Sequence, residues 1–262
     1  MAFTNDKFRL DGKVAIVTGA GGRGNSIGRA YALGLANAGA SVVVADLNGE
    51  GAKKVVDEIK SAGGKATAVQ VDITDRASVA NMVETAKKTY GGIDILVNNA
   101  ALMVEIAGSS PTYQISTEDF NRGMAVNVVG ALHCSQAVVP IMAARGGGRI
   151  VNQLSAGAFP AQGYYGVTKV ALLGLTTALA TELGKLKITV NAIAPGMVKT
   201  DAGTSLGNEE TPWVKFVSAG IPLHPRSEPY ALVGALLLLV SEAGEWMTGQ
   251  TLNVDGGWKM RN

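Results

Sequence analysis

About seven short runs of β-branched and aliphatic residues recur along this chain, each followed by a longer stretch with helical spacing. Strands are expected at Lys13–Thr18, Ser41–Asp46, Ala66–Val71, Ile93–Val97, Arg149–Leu154, Lys187–Ile193 and Thr251–Val254. Between them, helices are expected over Ser26–Ala38, 49–62, Asp75–Thr89, 117–144, 163–185 and 228–241. Residues 201–222 carry no clear period and read as irregular. Strands that alternate with helices form βαβ units, whose right-handed crossovers place helices on both faces of a parallel sheet. The expected class is therefore α/β, with a doubly wound parallel sheet. No linker-like shift in composition divides the chain, so residues 1–262 are expected to form one domain, 201–222 being its irregular segment.

Composition removes several function classes. Hydrophobic residues make up 47% and charged ones 17%, which suits strands buried on both faces. The formal charge is only +2 and basic residues are scattered, Lys53-Lys54 and Lys87-Lys88 being the longest runs, so no nucleic-acid partner is expected. The one cysteine, Cys134, lies in an apolar helical pattern and reads as a buried thiol. With His133 and His224 as the two histidines, no metal site is expected. Residues 1–12 lack a secretory pattern, and the run at Ala235–Val240 is too short to span a bilayer; a cytoplasmic protein with no membrane partner is expected.

The loop between the first strand and first helix points to a ligand. Gly19-Ala20-Gly21-Gly22-Arg23-Gly24 is a G-x-G-x-x-G in its strand-to-helix setting. Glycines there let the backbone approach a pyrophosphate, and helix N-terminal amides then face the anion, with Ser26 able to cap the helix and donate. Asp46, closing the second strand, can accept from adenosine ribose hydroxyls and would repel a 2′-phosphate. That favours NAD over NADP, while Arg23 offers a cation that could pair with a phosphate.

Further motifs follow in order: Thr18-Gly19 through Ile27-Gly28, Asp72-Ile73, Asn98-Asn99-Ala100-Ala101, Asn127, Ser155, Tyr165-x-x-x-Lys169, Asn191 through Gly196, and Val254-Asp255-Gly256-Gly257. With these the chain resembles the short-chain dehydrogenases/reductases of compact single-domain type, from Lys13 to Gly257. The resemblance implies a Rossmann-type sheet of about seven strands. It also implies that Asp72 and Ile73 hold adenine, that Asn98 lies on the cofactor side, and that Pro195, Gly196, Val198 and Thr200 flank the nicotinamide. Homotetramer formation is a further implication, and Trp246, Met247 and Trp258 suit an interface. Three departures stand out. The glycine loop is three residues longer than the family's T-G-x-x-x-G-x-G, with Ser26 at its middle glycine; Ala101 replaces a glycine; and Ser155 lies slightly nearer Tyr165 than is common.

The chemistry follows from residue types. Tyr165 and Lys169 share a helix face, and an ammonium beside a phenol favours the phenolate. Tyr165 is then the expected general acid/base, Ser155 the hydrogen-bond partner of the substrate oxygen, Lys169 the holder of the nicotinamide ribose, and Asn127 the holder of a water that links Lys169 to solvent. The expected reaction is hydride transfer between a nicotinamide and a secondary alcohol or ketone, the hydride step belonging to the cofactor. Met103, Gln153, Leu154, Phe159, Tyr164, Trp213 and Phe216 are expected around an aliphatic, alicyclic or aromatic substrate under a lid at 201–222 that also carries Leu206, Val217, Glu209 and Glu210. Alternatives are an NADPH-dependent 3-oxoacyl thioester reductase, an enoyl-thioester reductase, suggested by the long loop, and an inactive NAD-sensing or scaffolding protein.

Overall fold

The computed structural model describes residues 4–22, 24–103, 111–159, 161, 163–223 and 226–260. Arg23 and His224 lie outside them. Seven strands, β1 (Val14–Thr18), β2 (Ser41–Asp46), β3 (Lys65–Gln70), β4 (Ile95–Asn98), β5 (Gly148–Gln153), β6 (Ile188–Pro195) and β7 (Thr251–Val254), form one sheet. Its order is β3-β2-β1-β4-β5-β6-β7, and every pairing is parallel. The α/β reading of the sequence holds in the number of strands and their parallel direction.

Alternation along each strand splits the core into two layers. Val42, Val44, Ile95, Val97 and Val151 face one cluster, while Ile16, Val43, Leu96, Ile150 and Val190 face another. The first layer is closed by α1 (Ile27–Asn37), α2 (Gly49–Ser61) and α9 (Val233–Val240). The second is closed by α3 (Arg76–Tyr90), α5 (Ala131–Ala144) and α6 (Gly163–Leu183). Cys134 is fully buried in that second layer, and burial pushes its thiol up to about 12.

Local signals set the helix starts. Ser26 accepts from the Arg29 amide, Asn48 from Gly51 and Asp75 from Ala77, each satisfying an otherwise orphaned first-turn donor. The helix expected over 117–144 consists of α4 (Thr117–Met124), a π-helical turn at Ala125–Gly130 and α5. The wide turn brings Asn127 to the inner side. The stretches Thr117–Ala144 and Gly163–Leu186 are long and apolar enough by composition to cross a membrane; here α5 and α6 within them pack on the sheet.

The segment 201–222 departs from the irregular reading. It contains α7 (Asp201–Leu206), capped by Thr200, and α8 (Pro212–Ala219), which starts with proline at its first position. Each is too short to show a clear period in sequence.

Candidate active site

Parallel strands end together, so Thr18, Asn98, Gln153 and Pro195 reach the same edge of the sheet. Chain order reverses between β1 and β4, and the crevice outside that switch point is where open α/β sheets bind ligands. Two cavities meet there. One, of about 600 Å³, is lined by Gly22, Asp46, Asn48, Asp72 and Ile73. The other, of about 680 Å³, is lined by Ser155, Tyr165, Lys169, Pro195, Gly196, Val198 and Thr200. Gly19, Ser26, Asn99, Ala101 and Met103 border both, while Ile27 and Gly28 face the larger.

The glycines of the loop have different tasks. Gly19 has φ +67°, and a Cβ there would stand 2.6 Å from the Ala100 backbone. Gly21 packs against the start of α2, where a Cβ would be 2.3 Å from the Ala52 nitrogen; it borders neither cavity. Gly24 also lies away from both, beside Asp201. Asn25 ties this loop to the start of α7 and to Glu228. Asn25 donates from its backbone to Asp201 (3.1 Å) and from its side chain to the Lys199 carbonyl and Glu228, both at 2.8 Å. Gly21 and Gly24, expected at the cofactor, pack here against the start of α2 and against Asp201.

Asp46 accepts from the Gly21 amide at 2.9 Å and the Asn48 amide at 2.8 Å. Its half-buried carboxyl is raised by desolvation, against which these two bonds act. It therefore shapes the glycine loop as well as bordering the crevice. Asp72 accepts from the backbone and hydroxyl of Thr74. Asn98 turns into the core, donating to Asn152 (2.9 Å) and Ser135 (3.2 Å). Its neighbour Asn99 takes the crevice, donating to the Thr18 and Gly19 carbonyls at 3.0 Å. Asn98 is the last residue of β4 and Asn99 the first beyond it, and the two side chains point different ways.

Lys169 is 1% exposed and donates to the Gln153 carbonyl at 2.8 Å, with its Nζ 5.4 Å from the Tyr165 ring centre. Burial lowers its ammonium to about 7 and raises the Tyr165 phenol. The phenol shift is opposite to that expected from a neighbouring ammonium, because desolvation of both groups outweighs their mutual attraction. Asn127 does not stand free to hold a water with its side chain. Its amide group accepts from the Leu102 nitrogen (2.8 Å) and donates to the Leu102 carbonyl and Thr168 hydroxyl, both at 3.0 Å. Thr168 in turn donates to the Tyr165 carbonyl. Asn127 thereby clamps the chain beyond β4 to the helix that carries Tyr165. Ser155 accepts from the Gly157 amide at 3.1 Å.

Residues expected around a substrate divide. Met103, Leu154 and Trp213 line the larger cavity. Gln153 borders it too, but its side-chain oxygen accepts from buried Tyr31 at 2.6 Å. Tyr164 turns from the cavity, stacking on Phe120 at 4.9 Å and donating to its carbonyl. Tyr165 lines the cavity, while Tyr164, one residue earlier on the helix, is turned toward α4. Phe159 packs toward Leu154 and Leu172, and Phe216 is 83% exposed on the outer side of α8. Lining residues that the sequence reading did not assign to the site include Asn99, Ala101, Gly157, Met197, Arg226 and Trp258, the last of which it placed at an interface. The motif Asn98-Asn99-Ala100-Ala101 marked the neighbourhood of the first two; nothing local marked Arg226.

A family model described as enoyl-(acyl carrier protein) reductase matches residues 22–259. An uncharacterized oxidoreductase of Mycobacterium tuberculosis is 46% identical over 253 residues, covering 97% of this chain and all of that one. The solved structure of a 7α-hydroxysteroid dehydrogenase, complexed with NADH and 7-oxo glycochenodeoxycholic acid, is 38% identical. It superposes with a TM-score of 0.89 over 98% of both chains. A gluconate 5-dehydrogenase from Burkholderia cenocepacia, in complex with NADP and tartrate, is 34% identical, with a TM-score of 0.87 over 97% of both. The parallel sheet, the crevice at its switch point and these likenesses over nearly the full chain place the protein in the short-chain dehydrogenase/reductase family of oxidoreductases.

Proposed function

We propose that the protein moves a hydride between a nicotinamide cofactor, NAD by preference, and a secondary alcohol or ketone with an aliphatic, alicyclic or aromatic frame. The observation that carries this reading is the placement of Tyr165, Lys169 and Ser155 on one wall of a cavity that continues into the glycine-loop crevice. The residues suit a dinucleotide. Gly19 and Gly28 bring backbone to the crevice without side chains, and a Cβ at Gly28 would lie 2.2 Å from the Gly19 carbonyl oxygen. Asp46, Asp72 and Ile73 border the end suited to the adenosine, and Pro195, Gly196, Val198 and Thr200 the end suited to the nicotinamide.

When bound, the cofactor supplies the hydride chemistry. The chain supplies proton transfer and orientation. Tyr165 gives its proton to a ketone oxygen or takes one from an alcohol, Ser155 donates to the same oxygen, and Lys169 sets the charge beside the phenol. Asn127 and Thr168 hold the helix that presents Tyr165. The segment 201–222 serves as the lid, with Trp213 facing inward.

Asp46 supports the NAD preference because a 2′-phosphate beside it would bring like charges together. Titration is expected to show tighter binding of NADH than NADPH, and Asp46→Asn is expected to shrink that preference by about tenfold, or ~1.4 kcal/mol. Equal binding of the two cofactors by the unaltered protein would sink the preference. A panel of ketones and alcohols, followed by cofactor absorbance, tests the reaction; cofactor binding without turnover would instead favour a sensor or scaffold. Enoyl-thioester reduction is the second reading, favoured by the description of the matching family model. Turnover of an enoyl thioester but not of any ketone would establish it in place of the first.

A homo-oligomer, a tetramer by family likeness, is also proposed. Val129 and Val170, beside and on the long apolar helices, stay about 40% and 42% exposed in the single chain, and a partner copy would cover them. Light scattering is expected to give a multiple of the chain mass; a monomer at micromolar concentration would refute it.

A further inference from the structure

The larger cavity is lined by two basic side chains, Lys169 and Arg226, and by no carboxylate among the described residues. Lys169 has its place in the proposed reaction. Arg226 does not. It is only 8% exposed, and it also lines a second cavity of about 350 Å³, which meets the first at Gly196, Met197 and Val198. An arginine buried to this degree needs a partner, and it has one in Glu209, on the turn between α7 and α8.

The pairing is lopsided. Nε and Nη2 of Arg226 donate to the same Glu209 oxygen, at 2.9 and 2.7 Å, although a guanidinium offers five N–H groups in a fork suited to two oxygens. The Glu209 side chain is 50% exposed, so it can leave for water at small cost. Glu210 is paired with Lys215, and Asp255, on the wall of the smaller cavity, accepts from the Gly257 and Lys259 amides.

Resting on the alcohol–ketone reading above, we infer that Arg226 determines specificity by taking a carboxylate on the substrate, and that Glu209 is the internal carboxylate holding its place. A substrate acid that enters from the catalytic side exchanges with Glu209, so Arg226 is never left buried and unpaired. A neutral substrate has nothing to offer in that exchange. The substrate class is therefore a hydroxy acid or keto acid whose carboxylate lies away from the reacting carbon.

The test uses alicyclic and linear keto acids of increasing length, such as 4-oxocyclohexanecarboxylate and 7-oxooctanoate, each beside its methyl ester. For at least one pair, kcat/KM is expected to favour the acid by about tenfold or more, the scale of one charge-assisted hydrogen bond. Glu209→Gln removes the competing charge on an exposed turn and is expected to lower KM for the acid relative to the ester, so that the acid-to-ester ratio rises. Arg226→Gln is expected to bring the acid-to-ester ratio near one; its melting point and cofactor affinity show whether it remains folded. Quenching of Trp213 and Trp258, which line the cavity, reports binding without turnover. If no ketone turns over but the acid still binds better than its ester, the reaction reading fails and the carboxylate site stands. If acid and ester are alike in both turnover and binding, or if Glu209→Gln alters both equally, Arg226 and Glu209 merely fasten the lid and the inference is overturned.

Discussion

Replacing Tyr165 with Phe is expected to lower kcat by about 10²–10⁴-fold, the usual contribution of a positioned general acid or base. The substitution removes one hydroxyl from the wall of the larger cavity and leaves the ring, the Lys169 contact to Gln153 and the glycine loop in place. Cofactor affinity, measured by titration of NADH fluorescence, should therefore change little. Loss of turnover with retained binding is the outcome required of a proton-transfer group. Turnover near the unaltered level would remove Tyr165 from the mechanism and leave the cavity without an evident acid. Loss of both turnover and cofactor binding would instead give the hydroxyl a structural task.

The second large effect concerns stability and pH. Lys169 has a buried ammonium lowered from 10.5 to about 7. Below pH 7 the folded and unfolded chains both carry the proton, and the folded chain bears the full cost of a buried charge. Between about pH 7 and 10.5 the unfolded chain keeps a proton that the folded chain has released, so stability rises with pH, at most about 1.4 kcal/mol per unit. Lys169→Met removes this dependence. The cofactor-free variant is expected to exceed the unaltered protein in denaturant-derived stability at pH 6, with the gap closing toward pH 10. The phenols of Tyr31 and Tyr165, raised by burial, favour unfolding above pH 10, but both proteins carry them and the difference cancels their effect. Parallel stability profiles would show that Lys169 finds a compensating charge or solvent in solution.

The periodicity of the chain made the sheet legible because its cause is local. Strands buried on both faces, such as Val42-Val43-Val44, must be apolar at every position, and the following helices must be apolar on one face. The glycine loop and the four-residue step from Tyr165 to Lys169 were legible for the same reason: a turn and a helix fix nearby residues relative to each other. The short helices of 201–222 gave too few turns to show a period. Tyr164 adjoins Tyr165 and Phe216 belongs to the apolar lid segment, which made both candidate pocket residues; in the fold Tyr164 contacts Phe120 and Phe216 is exposed on the outer side of α8.

Sequence alone thus determined the α/β class, the seven alternating strands, and Ser155, Tyr165 and Lys169 as candidates; the fold set them along one cavity at the edge of the sheet. The tertiary structure decided which of two adjacent asparagines meets the crevice, how Asp46 is shared with its own loop, and how Asn127 is fastened. It also paired Arg226 with Glu209 beside the catalytic cavity. These were decided late because they depend on contacts between segments far apart in the chain or on the rotation of one element against another. Local propensity is silent on both: it fixes what each segment becomes, while packing fixes which side chains are left facing the same space.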